Sequence, residues 1–288
     1  MSDALAFKEF GAGVPVLGLH GWLADHRLLT GCLEPVFAAR SGYRRLYPDL
    51  PGMGGSPCGS VRDSAGMVAA VSAFVDARLG SARFLLIGQS YGGYLARELV
   101  RQRPDQVLGM ALLCPMGTEL EPARRTVPPR AVLRRDPALV AALEPAFTDV
   151  AVVQSAATLA RFRAEVASGQ AIADRAALAS VRENWALAVP PETGAPYERP
   201  VLVLTGRQDS STGYAEQYAL LGHYPRASYA VLDRAGHNLQ FEQAVLFETL
   251  VDEWLDRVEE ERERACRSSP SRCSPAAHRS RRPRSRNA

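Results

Sequence analysis

The sequence predicts an α/β protein, a mostly parallel central sheet with helices on both faces, and three observations carry that expectation. Short apolar runs alternate with helix-periodic stretches along the 288 residues, as they do where each strand is followed by a helix and the next strand runs parallel. Trp22, Ser90, Asp209 and His237 all follow apolar runs, and in such sheets the carboxyl ends of the strands form the ligand crevice. The alternation breaks once, from about Pro115 to Pro196, as an insertion would break it.

In chain order, strands are expected over 4–9, 14–19, 44–47, 83–87, 107–114, 201–205 and 227–232, from runs rich in Val, Leu, Ile, Phe and Tyr. Gly11-Ala12-Gly13 is a turn between the first two and does not complete a dinucleotide fingerprint. Helical patterns fall over 25–40, 64–79, 91–103, 212–221 and 240–260. Residues 1–115 and 197–260 therefore read as one core, and 116–196 as a helical cap with periodicity in 149–168 and 174–188 and frequent proline punctuation. Phe147, Phe162, Trp185 and Leu187 are expected in the cap's own core. Residues 261–288 are crowded with Arg, Ser, Pro and Ala and are expected to be a disordered basic tail.

The run Leu85-Leu86-Ile87-Gly88-Gln89-Ser90-Tyr91-Gly92-Gly93 is an apolar strand that ends in Gly-x-Ser-x-Gly and enters a helix. That context makes a nucleophile elbow, a turn sharp enough to hold a serine hydroxyl at its tip. A base and an acid should then follow in the order Ser, acid, His. His237 lies in Ala235-Gly236-His237-Asn238, between a strand and a long amphipathic helix, where an imidazole can reach the elbow. Of the other four histidines, His278 is in the tail and His223 on an exposed helix pattern. The acid is read as Asp209, after Val201-Leu202-Val203-Leu204-Thr205-Gly206. The same residue also reads as a helix N-cap. Asp233 is the rival carboxylate, at the end of the strand before His237. Backbone N–H groups of Trp22, after Leu19-His20-Gly21, and of Tyr91 are the candidate oxyanion donors, and His20 is read as a brace for its loop. Met116 and Trp185 are candidate walls of a substrate pocket. Arg182 is weighed as a partner for a substrate carboxylate and read as an exposed helix residue.

Together with Pro48-Asp49-Leu50-Pro51-Gly52-Met53-Gly54-Gly55-Ser56, these strings resemble the α/β-hydrolase superfamily over residues 7–257, and within it the carboxylesterase, lactonase and meta-cleavage-product hydrolase groups. The resemblance implies the α/β-hydrolase fold and a Ser90–His237–Asp209 triad that needs no metal and no cofactor. Enzymes of this fold that carry an aspartate at the elbow, the haloalkane dehalogenases and epoxide hydrolases, are set aside by Ser90. Asn238 stands where some meta-cleavage hydrolases have tryptophan, and Tyr91 where prolyl aminopeptidases usually have tryptophan. Such enzymes also need acidic cap residues to hold a free amino group; Glu119, Glu121 and Glu144 could supply them but read as solvated.

Composition agrees. At 47% hydrophobic and 23% charged the chain is ordinary for a globular protein. No signal-like segment and no membrane-length apolar run appears. Five scattered cysteines lack zinc-ligand spacing and point to reduced thiols and a cytoplasmic setting. The tail's positive charge exceeds the net +3 of the whole chain, but without interleaved aromatics it gives no reason to expect nucleic acid as a partner. Lys8 is the only lysine, a bias that a GC-rich coding sequence produces. The expected function is hydrolysis of an ester or ester-like bond in a small acyl substrate through an acyl-enzyme. Hydrolytic carbon–carbon cleavage by the same triad, and ligand binding without catalysis on a hydrolase scaffold, stand as alternatives. The oligomeric state is left open.

Overall fold

In the computed structural model, which describes residues 4–139 and 144–268, the strands are β1 (Phe7–Gly11), β2 (Val14–Leu19), β3 (Tyr43–Pro48), β4 (Phe84–Gln89), β5 (Val107–Leu113), β6 (Arg134–Arg135), β7 (Val153–Gln154), β8 (Val201–Gly206) and β9 (Ala227–Leu232). The helices are α1 (Arg27–Ala38), α2 (Ser64–Arg78), α3 (Tyr91–Gln102), α4 (Pro145–Thr148), α5 (Ala156–Phe162), α6 (Ser168–Gln170), α7 (Arg175–Glu183), α8 (Leu239–Glu242) and α9 (Ala244–Ser268). Seven strands form one sheet in the order β1-β3-β2-β4-β5-β8-β9. Only β1 is antiparallel, against β3; the other pairings are parallel.

The alternation of side chains along each strand decides which helices cover which face. Leu86, Met110, Leu112, Val201 and Val203 point to the face covered by α2 and α3. Leu85, Ile87, Ala111, Leu113, Leu202 and Leu204 point to the face covered by α1 and α9. Because both faces are covered, β4, β5 and β8 are buried throughout, and apart from Gln89 and Thr205 near their carboxyl ends they are apolar rather than alternating. Each fully buried aliphatic side chain of this size contributes about 1.5–3 kcal/mol. Helix starts follow local chemistry. The Asp63 carboxylate accepts from the Gly66 N–H at 2.7 Å to begin α2, and Ser155 and Thr158 form a reciprocal capping box at α5.

Several boundaries depart from expectation. The first strand lies over Phe7–Gly11, not 4–9, in register with β3 through Phe7↔Pro48. The stretch expected to be helical over 212–221 is a 3-10 helix over Glu216–Gly222, because Gly213 takes φ 73°, in the left-handed region, and stops the turn that Asp209 caps. The last helix breaks at Gln243 and then runs on to Ser268, eight residues into the stretch expected to be tail. The rest of that stretch, 269–288, lies outside the described residues. Cys32, Cys58 and Cys114 are buried free thiols. No helix among the described residues is long and apolar enough to cross a membrane.

The segment between β5 and β8 carries α4 to α7 and one short parallel pair, β6–β7, which the sequence did not suggest. Phe147 and Phe162 are buried there against Leu28 and Phe241 of the core, so the insertion shares its apolar cluster with the sheet domain. Arg97 of α3 ties down both of its ends. The buried guanidinium donates to the carbonyls of Met116 and Gly117 at 2.6 and 3.3 Å. Its Nε lies 3.0 Å from Glu192 Oε1 in an ion pair whose angle is too poor for a hydrogen bond.

Candidate active site

Ser90 stands between β4 and α3 with φ 53° and ψ −116°, a strained conformation for any residue with a side chain. The glycines around it make the turn possible. A Cβ on Gly88 would lie 2.6 Å from the Gly92 carbonyl oxygen, and one on Gly92 would run into the carbonyls of Leu19 and His20. Strand, helix and the neighbouring strand end therefore meet at contact distances that only glycine allows. The Ser90 N–H donates to the Leu113 carbonyl at 2.9 Å, which pins the elbow to β5.

His237, on the loop between β9 and α8, places Nε2 3.0 Å from Ser90 Oγ and Nδ1 2.9 Å from Asp209 Oδ2. Asp209, on the loop after β8, is fully buried. Its Oδ1 accepts from Ser211 N at 2.8 Å and Thr212 N at 3.0 Å, and its Oδ2 also accepts from Thr212 Oγ1 at 2.8 Å. Burial pushes this carboxyl up, but His237 and the Thr212 and Ser211 N–H groups outweigh it and hold it below the usual carboxylate value. Burial pulls the imidazole down, yet the charge and hydrogen bond of Asp209 outweigh that and raise it. The set is a continuous path from hydroxyl through imidazole to carboxylate, the arrangement that lets a serine lose its proton as it attacks.

The loop after β2 lies against the elbow: a Cβ on Gly21 would sit 3.2 Å from Ser90 Cβ. His20 braces this loop. Its Nδ1–H donates to the Gly21 carbonyl at 2.8 Å and its Nε2 accepts from Leu50 N at 2.9 Å, which assigns the neutral Nδ1-protonated form. Burial lowers its pKa in the same direction. Asp49 accepts from the His26 N–H at 2.8 Å and from Gly55 N at 2.8 Å, so the loop after β3 supports the same region. Tyr91 is the first residue of α3, where the N–H has no acceptor within the helix. The Trp22 and Tyr91 rings meet edge to face at 5.2 Å.

Ser90, His237, Trp22, Met116 and Trp185 all line one cavity of about 1160 Å³. Asp209 stands behind the imidazole, outside the lining. Arg182 is exposed, as expected of a helix arginine, yet it is also on the cavity wall. Glu119 and Glu121, read as solvated, line it too. Three contributors gave no sequence signal. Arg125 lines the cavity while its guanidinium donates to the Glu119 and Leu120 carbonyls at 3.2 and 2.8 Å. Ser64, first residue of α2, pairs its hydroxyl with Tyr91 at 2.7 Å and donates to the Trp185 carbonyl at 2.7 Å. Glu242 grips the backbone next to His237.

A family model described as the alpha/beta hydrolase fold matches residues 14–244. The chain is 32% identical over 114 residues to a pimeloyl-[acyl-carrier protein] methyl ester esterase of Shewanella woodyi, a stretch that covers 39% of this chain and 40% of the esterase. It is 33% identical over 117 residues to the lipase LipV of Mycobacterium tuberculosis, covering 38% and 41%. The matches thus span about two fifths of these curated relatives. Among solved structures, an alpha/beta superfamily hydrolase from Oenococcus oeni PSU-1 superposes with a TM-score of 0.82 at 26% identity, over 89% of this chain and 97% of that one.

Proposed function

The chain belongs to the α/β-hydrolase fold family, and on that premise we propose that it is a serine hydrolase of carboxylic esters with a small acyl group. The observation that carries the reading is the hydrogen-bonded path Ser90–His237–Asp209, at 3.0 and 2.9 Å, behind a strained elbow and open to a cavity. Two relatives that share part of the chain carry the names of a methyl ester esterase and a lipase, which supports an ester over other acyl bonds.

In this mechanism Ser90 Oγ adds to the ester carbonyl as its proton passes to His237 Nε2. Asp209 holds the Nδ1–H and stabilises the imidazolium. The oxyanion accepts from the N–H groups of Trp22 and Tyr91, the second at the positive end of α3. The imidazolium returns its proton to the leaving alkoxide, the carbon–oxygen bond breaks, and the acyl group stays on Ser90. Water deprotonated by His237 then releases the acid and restores the serine. The insertion acts as a cap: it contributes Met116, Arg125 and Trp185 to the wall and shields the acyl-enzyme from bulk water.

The test is turnover of p-nitrophenyl acetate, butyrate and octanoate by the wild type and by Ser90→Ala. Loss of the nucleophile should lower the rate on the order of a million-fold. Equal rates from both proteins, folded, would overturn the reading.

A further inference from the structure

Glu242, the last residue of α8, is a buried carboxylate held by backbone N–H groups rather than by a cation. Its Oε2 accepts from Gly236 N at 2.6 Å, beside His237. Its Oε1 accepts from Val152 N at 2.6 Å and from Val153 N at 3.1 Å, at the start of β7 in the insertion. One side chain thus joins the histidine loop to the insertion. The contact continues outward, because the Val152 carbonyl accepts from Leu133 N at 3.0 Å ahead of β6. It is also close-packed: a Cβ on Gly236 would lie 2.9 Å from Val152 Cγ2 and 3.0 Å from the Val150 carbonyl. The other side of the Gly236 peptide is held too, its carbonyl accepting from Cys114 Sγ at 3.5 Å.

We propose that Glu242 is a positioning residue for His237 through its bond to Gly236, and that by its two bonds to Val152 and Val153 it seats the insertion, so that the histidine is aligned only when the insertion is docked. The charge has a second effect. The charges that act on the imidazole are those of Asp209 from the loop after β8, Arg125 from the insertion, and Glu242 from α8, whose own carboxyl burial raises above its usual value against the three N–H groups that lower it. The two carboxylates favour the imidazolium and the guanidinium opposes it, while Cys114 nearby stays a neutral thiol because burial raises it far above its usual value. Glu242 therefore adds to the imidazolium stabilisation that the proposed ester hydrolysis requires, and the proposal rests on that reading.

The experiment compares wild type, Glu242→Gln and Glu242→Asp on p-nitrophenyl butyrate across pH. Glutamine keeps the shape but sets an NH2 against one of the backbone donors, leaving a buried group unpaired. The expected kcat falls about 5- to 100-fold. The acid limb of kcat/KM, which reports the free-enzyme base, is expected to move to lower pH because a negative neighbour is gone. Aspartate keeps the charge but not the reach, so kcat should fall while the limb stays. A structural residue alone would lower stability without moving the limb. Wild-type kcat with an unmoved limb in folded Glu242→Gln, or wild-type kcat in Glu242→Asp, would overturn the proposal. The wild type itself offers a third reading: the Gly236 and Val152 amides should resist hydrogen exchange, and free exchange would refute the grip whatever the variants do. Failure of the esterase reading is seen separately. An NMR titration of His237 in the Ser90→Ala background should still show a lower pKa with Glu242→Gln even if no ester is turned over.

Discussion

Trp185 stacks on Tyr91, ring centroids 4.5 Å apart and planes 26° from parallel. Trp185 belongs to the insertion, and Tyr91 follows Ser90 directly. The indole also meets Trp22 edge to face at 4.9 Å. One ring from the insertion therefore packs on the side chains of both residues proposed as oxyanion donors, and Ser64 links the Trp185 carbonyl to the Tyr91 hydroxyl beneath them.

Trp185→Ala should remove two aromatic pairs, a loss of about 1–3 kcal/mol in unfolding free energy at about 0.5–1.5 kcal/mol per pair, added to the apolar burial that the indole also gives up. It also enlarges the cavity next to Ser90. The ratio of kcat/KM for p-nitrophenyl octanoate over acetate is expected to rise. Urea unfolding and the ester series check the two effects, and an unchanged ratio would place Trp185 away from the acyl group.

Ser64→Ala leaves a buried phenol without its partner, so about 1–3 kcal/mol of stability is expected to be lost. Tyr91→Phe removes the other half of the same bond. The double variant should be less destabilised than the sum of the two singles, by an interaction energy of about 0.5–3 kcal/mol. A double-mutant cycle in urea measures it, and strict additivity would show that the bond contributes nothing.

Asp209→Asn should fold and bind substrate, yet kcat is expected to fall about 10⁴-fold, because an amide facing Nδ1 favours the wrong imidazole tautomer. Steady-state kinetics near neutral pH decide this. A drop of less than tenfold would move the acid role elsewhere, with Asp233 the first residue to test.

The pH profile follows from the raised imidazole. His237 must be neutral to act as base, so kcat/KM should climb with pH through a single ionisation whose midpoint lies above the ordinary value of about 6.5. Stability runs the other way. A folded pKa above the unfolded one contributes stability that is complete below the unfolded pKa and is lost as pH rises through the folded pKa. His237→Gln should therefore be less stable relative to wild type in mild acid than in mild base, by calorimetry across that window.

Ser90, Asp209 and His237, which the fold brings into one hydrogen-bonded path, were legible as candidates because each lies in a local pattern: an apolar strand, a tight turn, one polar residue at its end. The sheet was legible for the same reason, since β4, β5 and β8 carry apolar runs of four or more residues. Other features depend on contacts between segments far apart in sequence. Glu242 sits among other acidic residues in an amphipathic stretch, and only its bonds to Val152, Val153 and Gly236 single it out. The overrun of α9 escaped because residues 261–268 were grouped with the Arg-, Ser- and Pro-rich stretch that follows them, whereas Glu, Arg and Ala are themselves good helix formers and oppositely charged side chains spaced four apart, such as Glu260 with Arg264, support the helix. Pairing of β6 with β7 spans two residues of each strand, too short for periodicity to register. At 212–221 the helical pattern failed at Gly213, whose φ of 73° ends the single turn that Asp209 caps.

Arg97 has a consequence for how such a chain can change. The insertion leaves the sheet at Met116–Gly117 and returns past Glu192, and both points answer to one guanidinium. The sheet domain thus meets some seventy residues as though they were a short loop with fixed anchor points, and the entropy of closing a loop grows only slowly with its length. What lies between the anchors behaves as an exchangeable cassette: it can be lengthened, shortened or replaced while the elbow keeps its place, provided that whatever replaces it offers Arg97 two carbonyls and a carboxylate.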